Sequence, residues 1–501
     1  MNSYLWLILS PRSMIGENMK VAKPKKRDKA DKNPHGWKRR WVHESVEDNE
    51  GIADFASGYM DFLNTSRTER EAVEYFESLL LAHGFRDLSR DPTPTLEPGC
   101  GFYMVNRGRE MIVGVAGEES PENGFNVIAT HLDSPRLDLK PLPLDGDPDT
   151  GLGLLRTHYY GGIKKYQWVN IPLSLRGRVV KGDGEIIDLG RLDDSIFTIP
   201  DLLVHLYKKT QAKRKLSDGI RGEELVALTY SGKLADEDQR RSPVVGQVLD
   251  HLHERYGIVE EDLISSDLCL VPAYEPREVG LDRGLLGAYG HDNRVSAFTS
   301  NIPLVDMVDE GKIPRKWCFT LNLDKEEIGS EGQTGAKSAF LEKSAYNMLE
   351  AGDGTTRRRD LIRSFGRSYA ISLDVKSARN PLFKGVQDST NSARLGCGIT
   401  ITKYTGSGGK RGANDASAEM SGEIRRLYNS GDIVWQMQET GKVDQGGGGT
   451  VAKFLATRNM DVIDNGIPLL SMHSPFEIIS KTDLWMVYKA MGKFLGDFRS
   501  S

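Results

Sequence analysis

Long apolar runs are scarce in this chain of 501 residues. The N-terminal run at residues 4–9 holds only six apolar residues, and no basic residue precedes it. A membrane-spanning helix needs about 20 apolar residues, and a signal peptide needs a basic start and a longer apolar segment. The sequence therefore predicts neither a signal peptide nor a membrane span, and we expect no membrane partner.

Cysteine is rare, and charge of one sign is not in large excess. The four cysteines are Cys100, Cys269, Cys318 and Cys397, and they form no Cys-x-x-Cys motif. This scatter favours reduced, buried cysteines in a cytoplasmic protein over a disulfide framework. The formal net charge is -5 and the isoelectric point is about 6.1, so we expect no nucleic-acid partner.

The remaining composition is that of an ordinary soluble enzyme, with 38% hydrophobic and 27% charged residues. The length is sufficient for two or three domains with a sizeable core. A basic stretch covers residues 20–40 and includes Lys23-Pro-Lys-Lys-Arg27. We interpret residues 1–44 as a solvated, partly mobile N-terminal arm, with a nuclear-localisation signal as the alternative.

Two adjacent glutamates, Glu326 and Glu327, follow the apolar run at residues 317–323, and a glycine comes soon after them. The apolar run predicts a buried strand, and open α/β sheets bind their ligands just beyond the carboxyl ends of such strands. One carboxylate of the pair can ligate a metal while its neighbour acts as a base. The alternative is a solvated pair on a helix surface, which is common.

Histidine and aspartate residues occupy similar positions elsewhere in the chain. The predicted strand at residues 125–130 leads to His131, and Asp133 can hold the ring of that histidine in one tautomer. Asp292 stands in a glycine-preceded turn before a predicted helix. Alone, such a histidine packs in a core or lies on a surface, and such an aspartate caps a helix.

Two further predicted strands end at residues of the same chemical types. Residues 369–373 lead to Asp374, and residues 466–472 lead to His473. The candidate metal ligands are therefore His131, Asp292, Glu327, Asp374 and His473. Together they indicate a two-metal site bridged by Asp292. Imidazole and carboxylate ligands suit Zn²⁺, with Mn²⁺ or Co²⁺ as competitors.

Five short motifs surround these residues. In chain order they are His131-Leu-Asp-Ser-Pro-Arg136, Asp292-Asn-Arg294, Glu326-Glu-Ile-Gly-Ser330, Ser372-Leu-Asp374 and Met472-His-Ser-Pro475. Across residues 45–495 the chain resembles the M18 metalloaminopeptidases, the group of aspartyl aminopeptidase and vacuolar aminopeptidase I, and in particular a bacterial-type member. The resemblance implies the same five ligands, with Asp292 bridging two metals. It also implies that Glu326 is the general base that deprotonates the attacking water.

Three residues near the substrate are inferred from the same resemblance. Many family members carry a histidine three residues after the ligand matched by Asp374, whereas this chain has Ser377. We therefore expect no histidine donor to the oxyanion there and assume no preference for acidic residues. Lys403 matches a lysine of the substrate pocket, and His205 matches a histidine that enters a neighbouring subunit's active site. The alternatives are a surface lysine and an interface histidine.

A glycine-rich loop at residues 444–449 precedes a predicted helix. Glycines before a helix can bind phosphate, but this loop lacks the Gly-Lys-Ser/Thr ending of a nucleotide-binding loop. We predict that the loop, represented by Gly447, forms a wall of the substrate pocket. A helix-entry loop without a binding function is the alternative.

The predicted fold class is α/β, with the catalytic domain split along the chain. Strands and helices alternate in residues 45–139 and 278–501. Residues 140–277 instead carry short strand-like runs, such as 152–160 and 168–173, separated by glycine turns, which predicts an inserted β-rich domain. The resemblance implies a central mixed sheet flanked by helices, of the zinc-dependent exopeptidase type, and a dimerisation role for the insert.

The predicted function is a dinuclear-metal aminopeptidase that acts on peptides with a free N-terminus. The resemblance implies two divalent ions per subunit and a homo-oligomer, a tetrahedral dodecamer built from dimers. One alternative is a related metal amidohydrolase or deacylase, which N-acetylated substrates would distinguish. The other is a self-assembling scaffold with little activity.

Overall fold

The computed structural model describes residues 37–44, 49–90, 95–190, 195–232 and 243–498. Most of the predicted N-terminal arm lies outside the described residues. Its last part packs on the body of the protein, because Val42 is buried and its N–H donates to the carbonyl of Gly396 at 2.8 Å. Arg39 adds a hydrogen bond to the carbonyl of Ser392 at 2.9 Å. The partial mobility of residues 1–44 stays a prediction.

The described residues contain helices and strands in an alternating order at both ends of the chain. The helices are α1 (Asn49–Thr65), α2 (Glu69–Ala82), α3 (Pro243–Tyr256), α4 (His291–Asp309), α5 (Phe340–Asp353), α6 (Arg358–Phe365), α7 (Ala418–Ser430), α8 (Ala452–Ala456) and α9 (Lys481–Asp497). Each of these helices is too short or too polar to cross a lipid bilayer.

The described strands form one sheet of nine strands, one of seven strands and three smaller sheets. They are β1 (Arg86–Asp87), β2 (Gly101–Asn106), β3 (Glu110–Val115), β4 (Asn126–His131), β5 (Arg136–Asp147), β6 (Leu152–Tyr160), β7 (Leu173–Val180), β8 (Ile186–Leu189), β9 (Ile196–Phe197), β10 (Val226–Ser231), β11 (Ser266–Pro272), β12 (Arg277–Val279), β13 (Leu285–Ala288), β14 (Cys318–Leu323), β15 (Tyr369–Leu373), β16 (Lys376–Ser377), β17 (Ile399–Thr402), β18 (Gly406–Ser407), β19 (Trp435–Met437), β20 (Gly447–Gly448), β21 (Asp461–Gly466), β22 (Pro468–Leu469) and β23 (Glu477–Ser480).

A nine-stranded mixed sheet forms the centre of the protein, in the order β1-β2-β3-β14-β4-β15-β21-β17-β19. Its middle strands β14, β4, β15 and β21 are parallel to one another. Strand β3 pairs with β14 in the antiparallel direction. Every residue of β3, β4 and β14 is buried, as expected for strands covered by helices on both faces. The predicted α/β class and central mixed sheet are confirmed.

Two apolar cores lie on opposite faces of this sheet. One core joins the sheet to α1, α2, α4, α7 and α9, and includes Phe62, Phe298 and Met491. The other core joins it to α5, α6 and α8, and includes Phe319 and Met348. Burial of each such side chain contributes about 1.5–3 kcal/mol. The central strands are therefore held firmly, and so are the loops at their carboxyl ends.

A second sheet of seven strands has the order β10-β6-β5-β11-β7-β8, with β9 paired to β7. All of its pairs are antiparallel. The predicted strand at residues 152–160 is confirmed as β6, whereas the one at 168–173 is wrong because β7 begins only at Leu173. The sheet begins at Arg136, before the predicted boundary at residue 140. Those domain boundaries and the dimerisation role stay predictions.

Gly466 ends β21 directly behind the carbonyl group of Asp374, and a Cβ atom at this glycine would overlap that carbonyl oxygen. Gly466→Ala is therefore expected to lower the free energy of unfolding by about 3 kcal/mol, as overpacking does elsewhere. Urea unfolding followed by circular dichroism measures the effect. In the control Gly246→Ala, within α3, the new Cβ meets no atom within 4 Å. An unchanged unfolding midpoint for Gly466→Ala would contradict the close packing.

Candidate metal centre

The parallel pairing of three central strands brings the candidate ligands to one edge of the sheet. His131 is the last residue of β4 and lies opposite Leu323 of β14. Glu326 and Glu327 follow β14 in a short 3-10 turn, and Asp374 directly follows β15. Because parallel strands end at the same edge, residues distant in sequence meet there.

Asp292 reaches the same edge from the start of α4. Gly290 precedes the helix in a left-handed conformation, with φ of 79°, and Asp292 itself has non-helical φ and ψ. Its carboxylate lies between two imidazole rings. Oδ1 is 3.4 Å from Nε2 of His131, and Oδ2 is 3.2 Å from Nε2 of His473. Each oxygen of Asp292 therefore faces a different histidine.

Each histidine also faces a carboxylate of its own. Nε2 of His131 lies 3.7 Å from Oδ1 of Asp374, and Nε2 of His473 lies 3.4 Å from Oε1 of Glu327. Candidate ligand atoms of His131, Asp292 and Glu327 all lie within 4.8 Å of one another. The five side chains thus form two groups of contacts, and Asp292 belongs to both.

His473 reaches this position by a route that the sequence pattern did not indicate. The predicted strand at residues 466–472 is wrong, because β21 ends at Gly466 and β22 ends at Leu469. His473 lies in a turn, with a positive φ of 64°. The turn is held by Glu477, whose carboxylate accepts a hydrogen bond from the N–H of His473 at 2.7 Å.

The donor set fits a divalent metal. Two ligand atoms at about 2.0–2.1 Å from a tetrahedral zinc ion lie about 3.3 Å from each other. The separations between Asp292 and the two imidazole nitrogens, 3.4 and 3.2 Å, match that value. Oε1 of Glu327 is buried and has no hydrogen-bond partner among the described residues. An unpartnered buried carboxylate oxygen is costly unless a cation binds it.

The charge balance of the centre also favours cations. Burial, with the charge of nearby Asp374, raises the pKa of Glu326 to about 7. Burial and the charge of Asp292 raise the pKa of Glu327 far above its usual range. Burial opposes a charged ring at His473, but contact with Asp292 raises its pKa to about 10. These shifts indicate that the crowded carboxylates lack enough positive charge around them, which a bound cation would supply.

Asp133 contacts several residues of the centre through its buried carboxylate. Its side chain is fully buried, and its Oδ1 lies 3.3 Å from Nδ1 of His131, whose ring also lies 3.0 Å from the backbone carbonyl of Asp133. The carboxylate accepts backbone hydrogen bonds from Glu326 at 3.1 Å and from Glu327 at 3.2 Å. Asp133 thus contacts both a histidine and the glutamate turn.

Three supporting groups escaped the sequence analysis. Glu477 accepts a second hydrogen bond, from the N–H of Asp292 at 3.0 Å. The hydroxyl of Tyr160 donates to Asp133 at 2.8 Å, and the carbonyl of Gly162 lies 2.7 Å from Nδ1 of His473. Usable signals were present, namely an acidic residue four positions after His473 and a Tyr-Gly-Gly sequence at a strand end.

None of the four candidate substrate residues takes part in the described contacts of this cluster. Ser377 accepts a hydrogen bond from Gln387 at 3.1 Å, and half-buried Lys403 directly follows β17. Gly447 is exposed in β20, which pairs with β18. His205 is exposed. Among the described residues, the ion pairs of the five ligands include none of these four, whose binding roles stay predictions.

Clustered imidazole and carboxylate groups beyond the strands of a mixed α/β sheet define a metal-dependent hydrolase. Residues 62–495 match the M18 peptidase family, described as aminopeptidase I zinc metalloprotease. A probable M18 family aminopeptidase 1 of Thermotoga neapolitana is 42% identical over 467 residues, covering 92% of this chain and 99% of that relative. The chain belongs to the M18 family. It is a metalloaminopeptidase with a divalent metal cofactor.

Solved structures agree with this assignment. The crystal structure of the M18 aminopeptidase from Thermotoga maritima superposes with a TM-score of 0.85 at 40% identity, covering 92% of this chain and all of that one. A more distant likeness is the Saccharomyces cerevisiae mApe1 dodecamer, with a TM-score of 0.71 at 23% identity, covering 90% of this chain and 98% of that one. At that identity the likeness shows the fold alone.

Removal of the shared carboxylate provides a direct test of the centre. Asp292→Ala is expected to lower the affinity for divalent metal roughly 100-fold or more, because even the loss of an outer partner costs 10–100-fold. Chelator competition measures the affinity. The matched control is Asp306→Ala in the same helix, whose carboxylate instead accepts from Tyr488 at 2.7 Å. If the two variants bind the metal with equal affinity, Asp292 is not a metal ligand.

Proposed function

We propose that this chain is a dinuclear-metal aminopeptidase that releases N-terminal residues from peptides. The observation that carries the proposal is the position of Asp292 between His131 and His473, each of which has a second carboxylate beside it. Two half-sites with one shared carboxylate fit two divalent ions per subunit. Nitrogen and carboxylate donors favour Zn²⁺, with Mn²⁺ or Co²⁺ as competitors.

Glu326 is the proposed general base. When bound, a metal pair supplies Lewis acidity toward the scissile carbonyl and lowers the pKa of the nucleophilic water. The carboxylate of Glu326 takes a proton from that water and later delivers it to the leaving amine. A carboxylate beside the bound water can accept this proton and later release it, as general acid–base catalysis requires. Asp133 holds the backbone of Glu326 in place.

The substrate class follows from what an exopeptidase must recognise. It must hold the free α-amino group of its substrate, and a carboxylate ligand or the second metal ion can do this. An N-acylated peptide lacks a free α-amino group and is expected to be a poor substrate. This preference separates the aminopeptidase from the amidohydrolase or deacylase alternative. The complete ligand set disfavours a scaffold with little activity.

Further residues complete the proposed pocket. Lys403 and the loop containing Gly447 are proposed to form parts of its wall, with Ser377 near the acyl group. Because position 377 is a serine, a histidine does not supply an oxyanion contact there. A preference for an acidic N-terminal residue is not part of the proposal.

From family membership we propose that the chain assembles in the cytoplasm into a tetrahedral dodecamer built from dimers. The second sheet and its loops form the proposed dimerisation domain. Support comes from a run of exposed apolar side chains beside His205, namely Leu202, Leu203, Val204 and Leu206. Such a patch is typical of a surface that a partner covers. The four cysteines are free, which fits a reducing compartment.

The role of the base is tested by Glu326→Gln. This variant is expected to retain metal but to lose roughly 10²–10⁴-fold in kcat, the usual contribution of general acid–base catalysis. Steady-state hydrolysis of aminoacyl-nitroanilides and metal analysis supply the two measurements. Glu327→Gln is expected to lose metal, and Glu331→Gln, in the exposed loop beyond the turn, serves as the neutral control. Metal loss in Glu326→Gln with metal retained in Glu327→Gln would reverse the two roles.

The contribution of His205 is tested by mixing subunits. If His205 acts in a neighbouring subunit, His205→Ala chains paired with Glu326→Gln chains contain one complete site per mixed dimer. Random pairing is then expected to restore about one quarter of wild-type activity, because half of the dimers are mixed. Light scattering checks that the chains co-assemble. Mixing Glu326→Gln chains with Asp292→Ala chains is the control. Each of these changes disables the site of the chain that carries it, so a mixed dimer contains no complete site. If activity does not recover beyond that of the control, His205 does not act in a neighbouring site, and the alternative of an interface histidine is favoured.

A further inference from the structure

The second sheet reaches the metal centre at the end of β6. Tyr160 is the last residue of this strand, and its hydroxyl donates to Oδ2 of Asp133 at 2.8 Å. Two residues later, the carbonyl of Gly162 accepts a hydrogen bond from Nδ1 of His473 at 2.7 Å. The short segment from Tyr160 to Gly162 therefore contacts both Asp133 and the candidate ligand His473.

The position of the Tyr160 ring is tightly determined. Tyr160 pairs with Arg136 across β5 and β6, and the guanidinium of Arg136 lies 4.3 Å from the centre of the ring. Arg136 is in turn held by an ion pair of 2.7 Å with Glu69 of α2. Burial, with Asp133 beside it, raises the pKa of the Tyr160 hydroxyl. The hydroxyl thus stays protonated and can only donate to Asp133.

Glycine allows this close approach. Gly161 has a φ of +72°, and a Cβ atom there would lie 3.3 Å from Cβ and 3.4 Å from Oε2 of Glu327. A side chain at this position would combine a strained backbone with crowding of a metal ligand. The chain turns away from β6 without touching the ligand, and the hydroxyl of Tyr160 stays in reach of Asp133.

Asp133 transmits the contact to the ligands. Its Oδ1 lies 3.3 Å from Nδ1 of His131 and accepts the backbone N–H of Glu326, and its Oδ2 accepts the backbone N–H of Glu327. Groups that orient metal ligands from outside are worth 10–100-fold in metal affinity or activity. Without the hydroxyl of Tyr160, Asp133 loses its shortest hydrogen bond and can rotate. The ring of His131 and the glutamate turn then lose their fixed orientation.

We propose that Tyr160 is a positioning residue of the metal centre, carried in from the second sheet, which acts through Asp133 on His131 and on the Glu326–Glu327 turn. The inference rests on the proposed function, because it requires that these residues hold a divalent metal. It assigns to the second sheet a role in forming the catalytic centre of the same chain, separate from any role in assembly.

The test compares two buried tyrosines in the full-length protein. Tyr160 is 8% exposed and Tyr289 is 7% exposed, and the hydroxyl of Tyr289 donates to the carbonyl of Pro135 at 3.0 Å instead of to Asp133. Tyr160→Phe is expected to lower Zn²⁺ affinity about 10-fold in chelator competition. The visible absorption spectrum of the Co²⁺-loaded variant is also expected to shift. Tyr289→Phe loses a comparable buried hydrogen bond and is expected to keep both properties.

A double-mutant cycle separates positioning from a general structural effect. In an Asp133→Ala background, Tyr160→Phe is expected to have no further effect on Zn²⁺ affinity, because the two residues act as one unit. Additive effects, or wild-type affinity in Tyr160→Phe, would overturn the role of Tyr160 while leaving the proposed function intact. A wild-type protein that binds neither Zn²⁺ nor Co²⁺ would overturn the proposed function, and the inference with it.

Discussion

The parallel register of β14, β4 and β15 is the constraint on which the site depends. Backbone hydrogen bonds place Leu323 opposite His131 and Ser372 opposite Ala129, so the three strands end within one small region. A shift of one residue would turn every side chain of a strand to its other face. The apolar cores on both faces prevent such a shift. Packing in the two cores thus fixes the strand register, and the register fixes the positions of the candidate ligands at the strand ends.

That placement concentrates buried acidic groups around the site. Asp133, Asp292 and Glu477 are buried within hydrogen-bonding distance of ligand residues. Burial, with Asp292 nearby, raises the pKa of Glu477 to about 8. Buried carboxylates favour folding only when partners compensate for their lost hydration. Histidines and backbone N–H groups provide part of the compensation, and divalent cations in the shared site would provide the rest. Metal binding and stability are therefore linked in this protein.

Ion pairs connect α2, which packs on the central sheet, to the second sheet. Glu69 of α2 binds Arg136 of β5 at 2.7 Å and Arg109 at 3.1 Å. Glu71 of the same helix lies 3.2 Å from Arg176 of β7. Hydrogen-bonded charges of this kind specify orientation strongly, because a displaced partner leaves a buried charge unpaired. The junction thus holds the second sheet in a defined position, which the contact between Tyr160 and Asp133 requires.

Sequence alone determined the chemical types at the centre and most of their local settings. His131, Asp374 and the glutamate pair lie at the ends of apolar strands, and this pattern is local, so the residues themselves predict a position at a strand end. The tertiary structure decided which of these ends meet and which groups support them. His473 enters on a turn held by Glu477, and Tyr160 and Gly162 arrive from another sheet. The contact between Gly162 and His473 joins residues 311 positions apart, and the one between Tyr160 and Asp133 joins two different sheets. Both depend on sheet order and packing, which no local pattern encodes.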